Sequence, residues 1–373
     1  MNQSPSDAAR LAALRLALVS GVGPITRQAL LARFSTAAAT LAASTKELRE
    51  VKGVGQKLCQ AIQDSIREVD AGEELSYCAS QNISVLLDSD AAYPARLREI
   101  PDPPGVLFML GELLAIDEMA IAIVGTRHAT TYGKEQAERL AAGLARAGYT
   151  IVSGLARGID AAAHQGALAA GGRTIAVLGS GIRNLYPPEH GNLAEEVAKR
   201  GAVISESPPR TPPLSGAFPQ RNRLISGLSL GTIVVEAAER SGALITSKHA
   251  MEQGREVFAV PGRVDNRMAR GCHQLIRDGA KLVQDVDDVL EELGPLPQPS
   301  KREDGLEIRH PLELQLNPQE QAVLQAIGSE ECLIDEVIVQ SGLPVPRVLS
   351  TLSVLEMRRL VRRLSGNRVQ RAR

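Results

Sequence analysis

Apolar residues in the middle of the chain occur in short runs of strand length that alternate with stretches of helical spacing. The runs cover residues 120–124, 150–152, 174–178, 202–204, 232–235, 257–260 and 281–283. Strands that are apolar throughout are typical of parallel sheets, because helices cover both faces of such sheets. The alternation therefore predicts an α/β fold with a doubly wound, mostly parallel sheet.

The N-terminal region has a helical pattern instead. Residues 8–75 are rich in Ala and Leu, and glycine turns interrupt them at residues 20–24 (SGVGP) and 32 residues later at 52–56 (KGVGQ). Each turn is similar to the hairpin of a helix-hairpin-helix, whose backbone amides can meet a DNA phosphate. A plain helical bundle with glycine caps explains the pattern as well. We assign residues 1–75 to a helical, helix-hairpin-helix (SAM-like) domain.

Prolines separate this region from the first predicted strand. Residues 76–118 contain Tyr93-Pro94 and the run 101–104 (PDPP), a composition suited to an extended loop. We treat this stretch as the lead-in to a central domain that covers residues 76–293.

A Pro-rich, charged segment predicts a linker at residues 294–312. Beyond it, residues 318–327, 334–340 and 345–355 have the spacing of three short helices, and residues 360–369 that of a β-ribbon. This order is the outline of a winged helix, which we place at residues 313–373. A winged helix can bind double-stranded DNA or dock a protein, and the sequence leaves both roles open.

Charge is balanced over the whole chain but uneven along it. The 373 residues carry a net charge of -1, yet residues 210–281 contain eleven Lys and Arg against six Asp and Glu. Residues 347–373 contain eight Arg and a single Glu. Such segments favour an anionic partner, although an Arg-rich genome would produce the same excess.

Membrane, disulfide and metal chemistry have little support in the sequence. No apolar run approaches the roughly 20 residues of a membrane-spanning helix. The four cysteines, at positions 59, 78, 272 and 332, lie far apart and form no C-x-x-C pair, which argues against a disulfide framework and a zinc site. We expect a soluble, cytoplasmic protein that binds no metal and no membrane.

Glycine and arginine stand together after three successive strands. In open parallel sheets, ligands bind beyond the carboxyl ends of the strands, where free helix amides point outward. Glycine lets the backbone approach an anion, and arginine supplies donors and charge. This reasoning selects Gly125, Thr126 and Arg127 after the first strand, Gly154, Arg157 and Gly158 after the second, and Gly179, Ser180 and Gly181 after the third. Alternatively, the glycines only form tight turns and the arginines are solvated.

A later segment adds an aromatic ring to this basic surface. Phe218 precedes Pro219 and the triplet Arg221, Asn222 and Arg223. We expect the polar triplet to contact phosphates and Phe218 to stack on an unpaired base, although Phe beside Pro is also common in protein cores. Farther along, hydroxyl groups and a lysine near a predicted helix start suggest a further phosphate contact; these are Ser241, Thr246 and Lys248.

A dinucleotide cofactor is not expected. Gly179-Ser180-Gly181 begins like the G-x-G-x-x-G fingerprint, but Asn184 occupies the third glycine position. Two prolines, at 187 and 188, follow where the phosphate-binding helix should run. We therefore predict no cofactor.

Several segments together closely resemble the DNA processing protein A (DprA or Smf) family. They are residues 123–127 (IVGTR) with Tyr132-Gly133, residues 153–160 (SGLARGID) with Ala163-His164, residues 218–223 (FPQRNR), residues 241–246 (SGALIT) and residues 260–262 (VPG). The resemblance covers most of residues 90–290. Two positions depart from the family pattern: Ser215 replaces a frequent lysine, and Cys272-His273 replaces Thr-Asn. Arg210 is a candidate to supply the cation that is missing at Ser215.

The resemblance implies a Rossmann-like protein that acts by binding. It implies single-stranded DNA as the ligand, protection of incoming DNA in natural transformation, and help in loading the recombinase RecA. It further implies a homodimer with no cofactor and no catalysed reaction.

An enzyme on the same core is the alternative. Nucleoside-monophosphate phosphoribohydrolases use a similar sheet edge with a P-G-G-x-G-T-x-x-E signature. This chain has Gly231-Thr232, and Glu236 lies one position beyond the acid of the signature, but the proline and the glycine pair are missing. Asp160 and His164 share a helix face, as an acid/base pair would. We expect instead that Asp160 complements the helix dipole and that His164 packs locally. No P-loop or G-x-S-x-G motif is present to complete an active site.

Overall fold

The two glycine turns of the N-terminal region join helices, as predicted. The computed structural model describes residues 5–293, 300–301, 307–308, 316–327, 331–358, 360–364 and 366–371. The N-terminal helices are α1 (Pro5–Leu18), α2 (Pro24–Phe34), α3 (Ala37–Ala42), α4 (Thr45–Arg49), α5 (Gln56–Glu68) and α6 (Ala71–Ser80). Gly21 and Gly53 adopt φ angles of 86° and 88°. Residues that carry a side chain rarely adopt such φ angles, so glycine is required at these turns.

The helical region and the sheet share apolar packing. Leu14 of α1 and Cys78 of α6 lie in one buried cluster with Phe108 and Leu178. Helix α6 also continues across residue 75, the domain boundary that we predicted from the sequence. Contacts within the chain place residues 1–282 in one compact unit and residues 283–373 in a second.

Ion pairs add to this packing. The buried Arg27 of α2 pairs with Asp88 at an N–O distance of 2.6 Å, and Arg10 of α1 pairs with Asp90 at 2.8 Å. Gly105 lies so close to Arg27 that a Cβ atom there would be 2.4 Å from its Nε. The helical region is therefore fixed to the edge of the sheet by charge and by shape.

The central sheet has nine strands in the order β1-β2-β6-β5-β4-β3-β7-β8-β9. They are β1 (Ser84–Leu87), β2 (Val106–Gly111), β3 (Ala120–Gly125), β4 (Thr150–Ser153), β5 (Thr174–Leu178), β6 (Ala202–Ser205), β7 (Gly231–Val235), β8 (Glu256–Ala259) and β9 (Lys281–Leu282). Strands β3 to β9 pair in parallel, and each of the seven predicted apolar runs lies on one of them. The predicted doubly wound sheet is confirmed.

The lead-in at 76–118 is not the extended loop that we predicted. It contains β1, β2 and a short helix, α7 (Ala95–Arg98). Strand β2 pairs antiparallel with both β1 and β6, and its residues 106–109 are buried. The prolines that suggested a loop lie between these elements, where an apolar strand such as VLFMLG is still free to form.

Helices connect the parallel strands and cover the sheet. They are α8 (Thr131–Arg146), α9 (Ile159–Ala169), α10 (Gly191–Arg200), α11 (Ala217–Gly227), α12 (Gly242–Glu252) and α13 (Arg270–Arg277). Each helix that follows a strand begins near the carboxyl end of that strand. The starts of α8, α9 and α12 therefore meet at one edge of the sheet.

The second unit contains the predicted winged helix. Its helices are α14 (Val286–Leu293), α15 (Pro318–Ala326), α16 (Ile334–Ser341) and α17 (Val345–Met357), and its strands are β10 (Ser300–Lys301), β11 (Glu307–Ile308), β12 (Cys332–Leu333), β13 (Val361–Leu364) and β14 (Arg368–Arg371). Three helices and a β-ribbon thus occur where the sequence predicts them. Most of the predicted linker at 294–312 lies outside the described residues; within it, β10 pairs with β11.

Within the described segments, no single helix is both long and apolar enough to cross a membrane. The helices α16 and α17 meet that criterion only as a pair, which is bent by 112°.

Candidate nucleic-acid interface

A cleft of about 650 Å³ opens at the carboxyl ends of β3, β4, β5 and β7. Helices α11 and α12 close one side of it. The residues predicted as ligand contacts that line this cleft are Gly125, Arg127, Phe218, Arg221, Asn222, Ser241 and Thr246. Segments separated by more than 100 residues in the sequence thus meet at the sheet edge that the topology favours for ligands.

A narrow pocket continues from this cleft. Gly154 and Arg157, from the loop after β4, lie there with Arg127 and Phe218. The structure therefore brings the glycine and arginine loops after β3 and β4 together around one aromatic side chain.

The rings of Phe218 and Tyr186 contact each other in a tilted arrangement. Their centroids lie 5.6 Å apart with an interplanar angle of 55°. The Arg127 guanidinium lies 5.4 Å from the Phe218 centroid, and the Arg157 guanidinium lies 6.0 Å from the Tyr186 centroid. We call these four residues the aromatic ladder. Two cations thus flank two rings at the mouth of the cleft, an arrangement suited to bases and phosphates.

Arg221 lies at the base of the cleft and is almost fully buried. It donates a hydrogen bond to the Val177 carbonyl, and a Cβ atom at Gly154 would collide with its guanidinium. Burial lowers the pKa of Arg221 to about 10, although the nearby Asp160 carboxylate opposes that shift. Burial likewise raises the pKa of Asp160, and Arg221 opposes this shift. The buried charges of Arg221 and Asp160 therefore partly compensate each other at the base of the cleft.

Arg223, a predicted phosphate contact, points into the protein instead. Its side chain is 5% exposed and lies 2.8 Å from a carboxylate oxygen of Asp102 and 2.7 Å from one of Glu206. Two carboxylates thus engage Nε and Nη2 of Arg223, and its Nη1 is buried out of reach of a phosphate. The position of Arg223 indicates that it connects α11 to the segments that hold these acids.

The remaining predicted contacts lie beside the cleft rather than on its lining; they are Thr126, Gly158, Gly179, Ser180, Gly181 and Lys248. The Thr126 amide donates to the Glu236 carbonyl at 2.8 Å, and Ser180 is buried. A Cβ atom at Gly179 would lie 2.9 Å from Cδ1 of Phe218. Gly179 therefore shapes the ladder, because only glycine leaves room for the ring.

Glycines 158 and 181 serve tight chain turns. Gly158 adopts a φ angle of 77° just before α9, and a Cβ atom at Gly181 would meet the Pro208 carbonyl oxygen at 2.2 Å. Lys248 is exposed on the outer side of α12, 3.8 Å from Glu252. These positions fit the interpretation of turns and solvated charges that the sequence left open.

Arg210 does not replace the cation that is missing at Ser215. Its guanidinium lies 4.4 Å from the ring centroid of Tyr77 and 3.3 Å from a carboxylate oxygen of Glu74. Both partners belong to α6, so Arg210 joins the helical region to the central domain. Ser215 itself lines the cleft.

The candidate acid/base residues have structural partners. The Thr174 hydroxyl donates to the Ile151 carbonyl, so it must accept its 2.7 Å hydrogen bond from Nδ1 of His164. Burial lowers the pKa of His164 to about 3, and the ring is neutral at physiological pH. His164 therefore packs locally, as predicted.

Glu236, the acid that follows Gly231-Thr232, holds the start of a helix. Its buried carboxylate accepts hydrogen bonds from the amide and the hydroxyl of Thr130, at 2.8 and 2.5 Å. Thr130 is the N-cap of α8. Among the described residues, no group of three or more His, Cys, Asp or Glu side chains could hold a metal ion.

Comparison with known proteins decides the family. A family model described as DNA recombination-mediator protein A matches residues 84–294. The chain belongs to this family. A DprA winged helix domain matches residues 308–367, and a SAM-like helix-hairpin-helix tandem matches residues 13–68. Together these matches confirm the predicted Rossmann-like fold with its two additional domains.

Individual relatives support the assignment. Protein Smf from Synechocystis sp. is 35% identical over 95% of this chain and 96% of its own length. The DNA processing protein DprA of Bacillus subtilis is 47% identical over 57% of this chain and 72% of its own.

Two solved structures of the family are similar to this one. DprA from Streptococcus pneumoniae covers 76% of this chain and 97% of its own, with 36% identity and a TM-score of 0.67. DNA processing protein A from Helicobacter pylori covers 57% of this chain and 95% of its own, with 30% identity and a TM-score of 0.51. The latter structure is described as revealing that protein's single-stranded DNA binding mode.

Sequence reasoning missed one residue of the ladder. Only the two prolines that follow Tyr186 enter the sequence prediction, although Tyr186 itself lines the cleft beside Phe218. A signal was available, since the chain contains only five tyrosines and four phenylalanines. An aromatic residue after a strand of the ligand-binding edge therefore merits the same scrutiny as the arginines.

Proposed function

We propose that this chain binds single-stranded DNA in the cleft at the carboxyl edge of its sheet. The observation that carries the proposal is the aromatic ladder, in which two rings lie between two arginines at the mouth of the cleft. Bases present an apolar face to such rings only when they are unpaired and unstacked, which favours single strands over duplex. The single-stranded DNA binding mode described for the Helicobacter pylori relative supports the same ligand.

The backbone of the strand would be held by the polar residues around the ladder. Arg127 offers a planar, charged donor. Ser241 caps the N-terminus of α12 and lines the cleft with Gly242 and Asn222. Helix amides, a hydroxyl and an arginine together suit phosphate oxygens, and none of these groups reads base identity. Binding should therefore show little sequence preference.

The salt dependence of binding tests this proposal. The dissociation constant for oligo-dT should rise steeply with salt, with a log-log slope of about +0.7 for each phosphate contact. Arg127→Ala should weaken binding and flatten the slope by about 0.7. Arg146→Ala is the matched control, because Arg146 is exposed in the last turn of α8, at the opposite edge of the sheet. A wild-type slope near zero, or equal effects of the two substitutions, would contradict the proposal.

We further propose that the protein acts by binding rather than by catalysis. The positions of Glu236 and His164 support this, because structural hydrogen bonds already engage both side chains. Incubation with nucleoside monophosphates should release no free base. Released base that disappears in a Glu236→Gln variant would establish the enzyme instead.

The family membership supports three finer proposals. In the cytoplasm, the protein would protect incoming DNA during natural transformation, act as a homodimer and help to load RecA. Sedimentation should give twice the monomer mass of 39.7 kDa. Added protein should shorten the lag of RecA filament formation on single strands that carry a single-strand-binding protein. A monomer at micromolar concentration, or an unchanged lag, would refute the respective proposal.

A further inference from the structure

One arginine of the aromatic ladder is already bound to a carboxylate. The Arg157 Nε lies 2.5 Å from a carboxylate oxygen of Glu189, and each side chain is 49% exposed. This hydrogen bond raises the pKa of Arg157 and lowers the pKa of Glu189. The pair therefore stays fully charged across the physiological range.

The other arginine of the ladder differs in this respect. Within the described part of the chain, no carboxylate oxygen lies within 4.0 Å of a nitrogen of the Arg127 guanidinium. The two cations have similar places beside the two tilted rings, but among the described residues only Arg157 is in direct contact with a carboxylate.

The short turn that carries Glu189 is anchored. Glu189 lies in a single 3-10 turn, Pro188–His190, that follows Pro187. The His190 ring donates from Nδ1 to the Leu155 carbonyl at 2.9 Å. Leu155 belongs to the same loop as Arg157, so the acid and the base are held on segments that are fastened together. The carboxylate is thus preorganised on Arg157.

We propose that Glu189 occupies the position of a DNA phosphate on Arg157 and must be displaced when the strand binds. The inference rests on the proposed function and adds a residue that sets the affinity for the DNA strand. Carboxylate and phosphate present similar oxygens to a guanidinium, so they compete for the same donors. Exchange of one anion for the other makes the Arg157 contact conditional, which lowers affinity and speeds release of the strand.

The test compares oligo-dT affinities of five proteins across a salt series: wild type, Glu189→Gln, Glu196→Gln, Arg157→Ala and the double variant Glu189→Gln/Arg157→Ala. Glutamine keeps the shape of the side chain and removes its charge. Glu189→Gln should bind about two- to fivefold more tightly, the range expected when an exposed ion pair no longer competes. Its log-log salt slope should steepen by at most about 0.7, the value of one full phosphate contact, because Glu189 no longer competes for Arg157.

Glu196→Gln is the matched control, since Glu196 forms an exposed ion pair with Lys199 on α10 and lines neither the cleft nor the narrow pocket. It makes the same change in net charge and should leave the slope unaltered. In the Arg157→Ala background, Glu189→Gln should improve binding no more than Glu196→Gln does in the wild type. A gain that survives the loss of Arg157, or no gain beyond the control, would overturn the inference. Absence of salt-dependent binding by the wild type would refute the proposed function itself.

Discussion

A substitution at Arg223 distinguishes a structural role of this residue from a role in DNA binding. Its basic surroundings in the sequence suggest a phosphate contact, whereas the structure buries it between Asp102 and Glu206. Replacement by methionine keeps much of the volume and leaves two carboxylates without their cation. Breaking a buried ion pair typically costs about 3–5 kcal/mol.

The exposure of the partners reduces that figure. The Asp102 and Glu206 side chains retain 30% and 24% of their accessibility, so water partly compensates them, and we expect a loss of about 2–4 kcal/mol. At roughly 2 °C per kcal/mol for a large unit, the midpoint of thermal unfolding should fall by about 4–8 °C. Thermal unfolding followed by circular dichroism measures this shift.

Oligo-dT binding, measured well below the unfolding midpoint, completes the test. Arg223→Met should bind with nearly wild-type affinity and salt slope. Arg146→Met is the control, because Arg146 is exposed in the last turn of α8, away from the cleft, and it should change neither quantity. An unchanged midpoint together with a flattened salt slope would refute the structural role and restore Arg223 as a phosphate contact.

Other substitutions test the ladder and a buried histidine. Phe218→Leu should weaken oligo-dT binding by about 1–3 kcal/mol without changing its salt slope, because stacking involves no ion release. Gly179→Ala should also weaken oligo-dT binding, since the added Cβ would displace the Phe218 ring. Unaltered affinity would contradict the role of Gly179 in leaving room for that ring. The pKa of His164 is about 3 in the folded protein and about 6.5 when unfolded. The unfolded chain therefore binds more protons between these values, and stability should fall as pH drops through that window. His164→Gln should flatten the pH dependence of the free energy of unfolding, measured by denaturant titrations. An unchanged pH dependence would contradict the assignment of this effect to His164.

The parallel strands were predictable because both of their faces are buried. Strand β5, for example, is apolar from Ile175 to Leu178 and buried at every position, so the sequence needs no polar alternation there. Strand β2 was not predicted because the prolines of residues 76–118 favoured a loop, although residues 106–110 are apolar without interruption. Proline marks the limits of a strand as readily as it marks a loop.

The candidate site was predictable at the level of loops but not of individual side chains. The topology alone brings the segments after β3, β4 and β7 to one edge. Whether an arginine faces a ligand or a carboxylate depends on residues far away in the sequence, as Arg223 and Asp102 show. A glycine that contacts a ligand and one that makes room for a neighbouring ring, as Gly179 does, also look alike in a sequence.

The preference for single strands tests the central claim most directly. Binding of fluorescent oligo-dT and of a duplex of equal length should be measured by anisotropy in the same buffer at physiological salt. The ladder predicts clearly tighter binding of the single strand, by tenfold or more if about 1–3 kcal/mol of stacking is available for each base. The preference should shrink in Phe218→Leu. Equal affinities for the two ligands, or tighter binding of the duplex, would contradict the account.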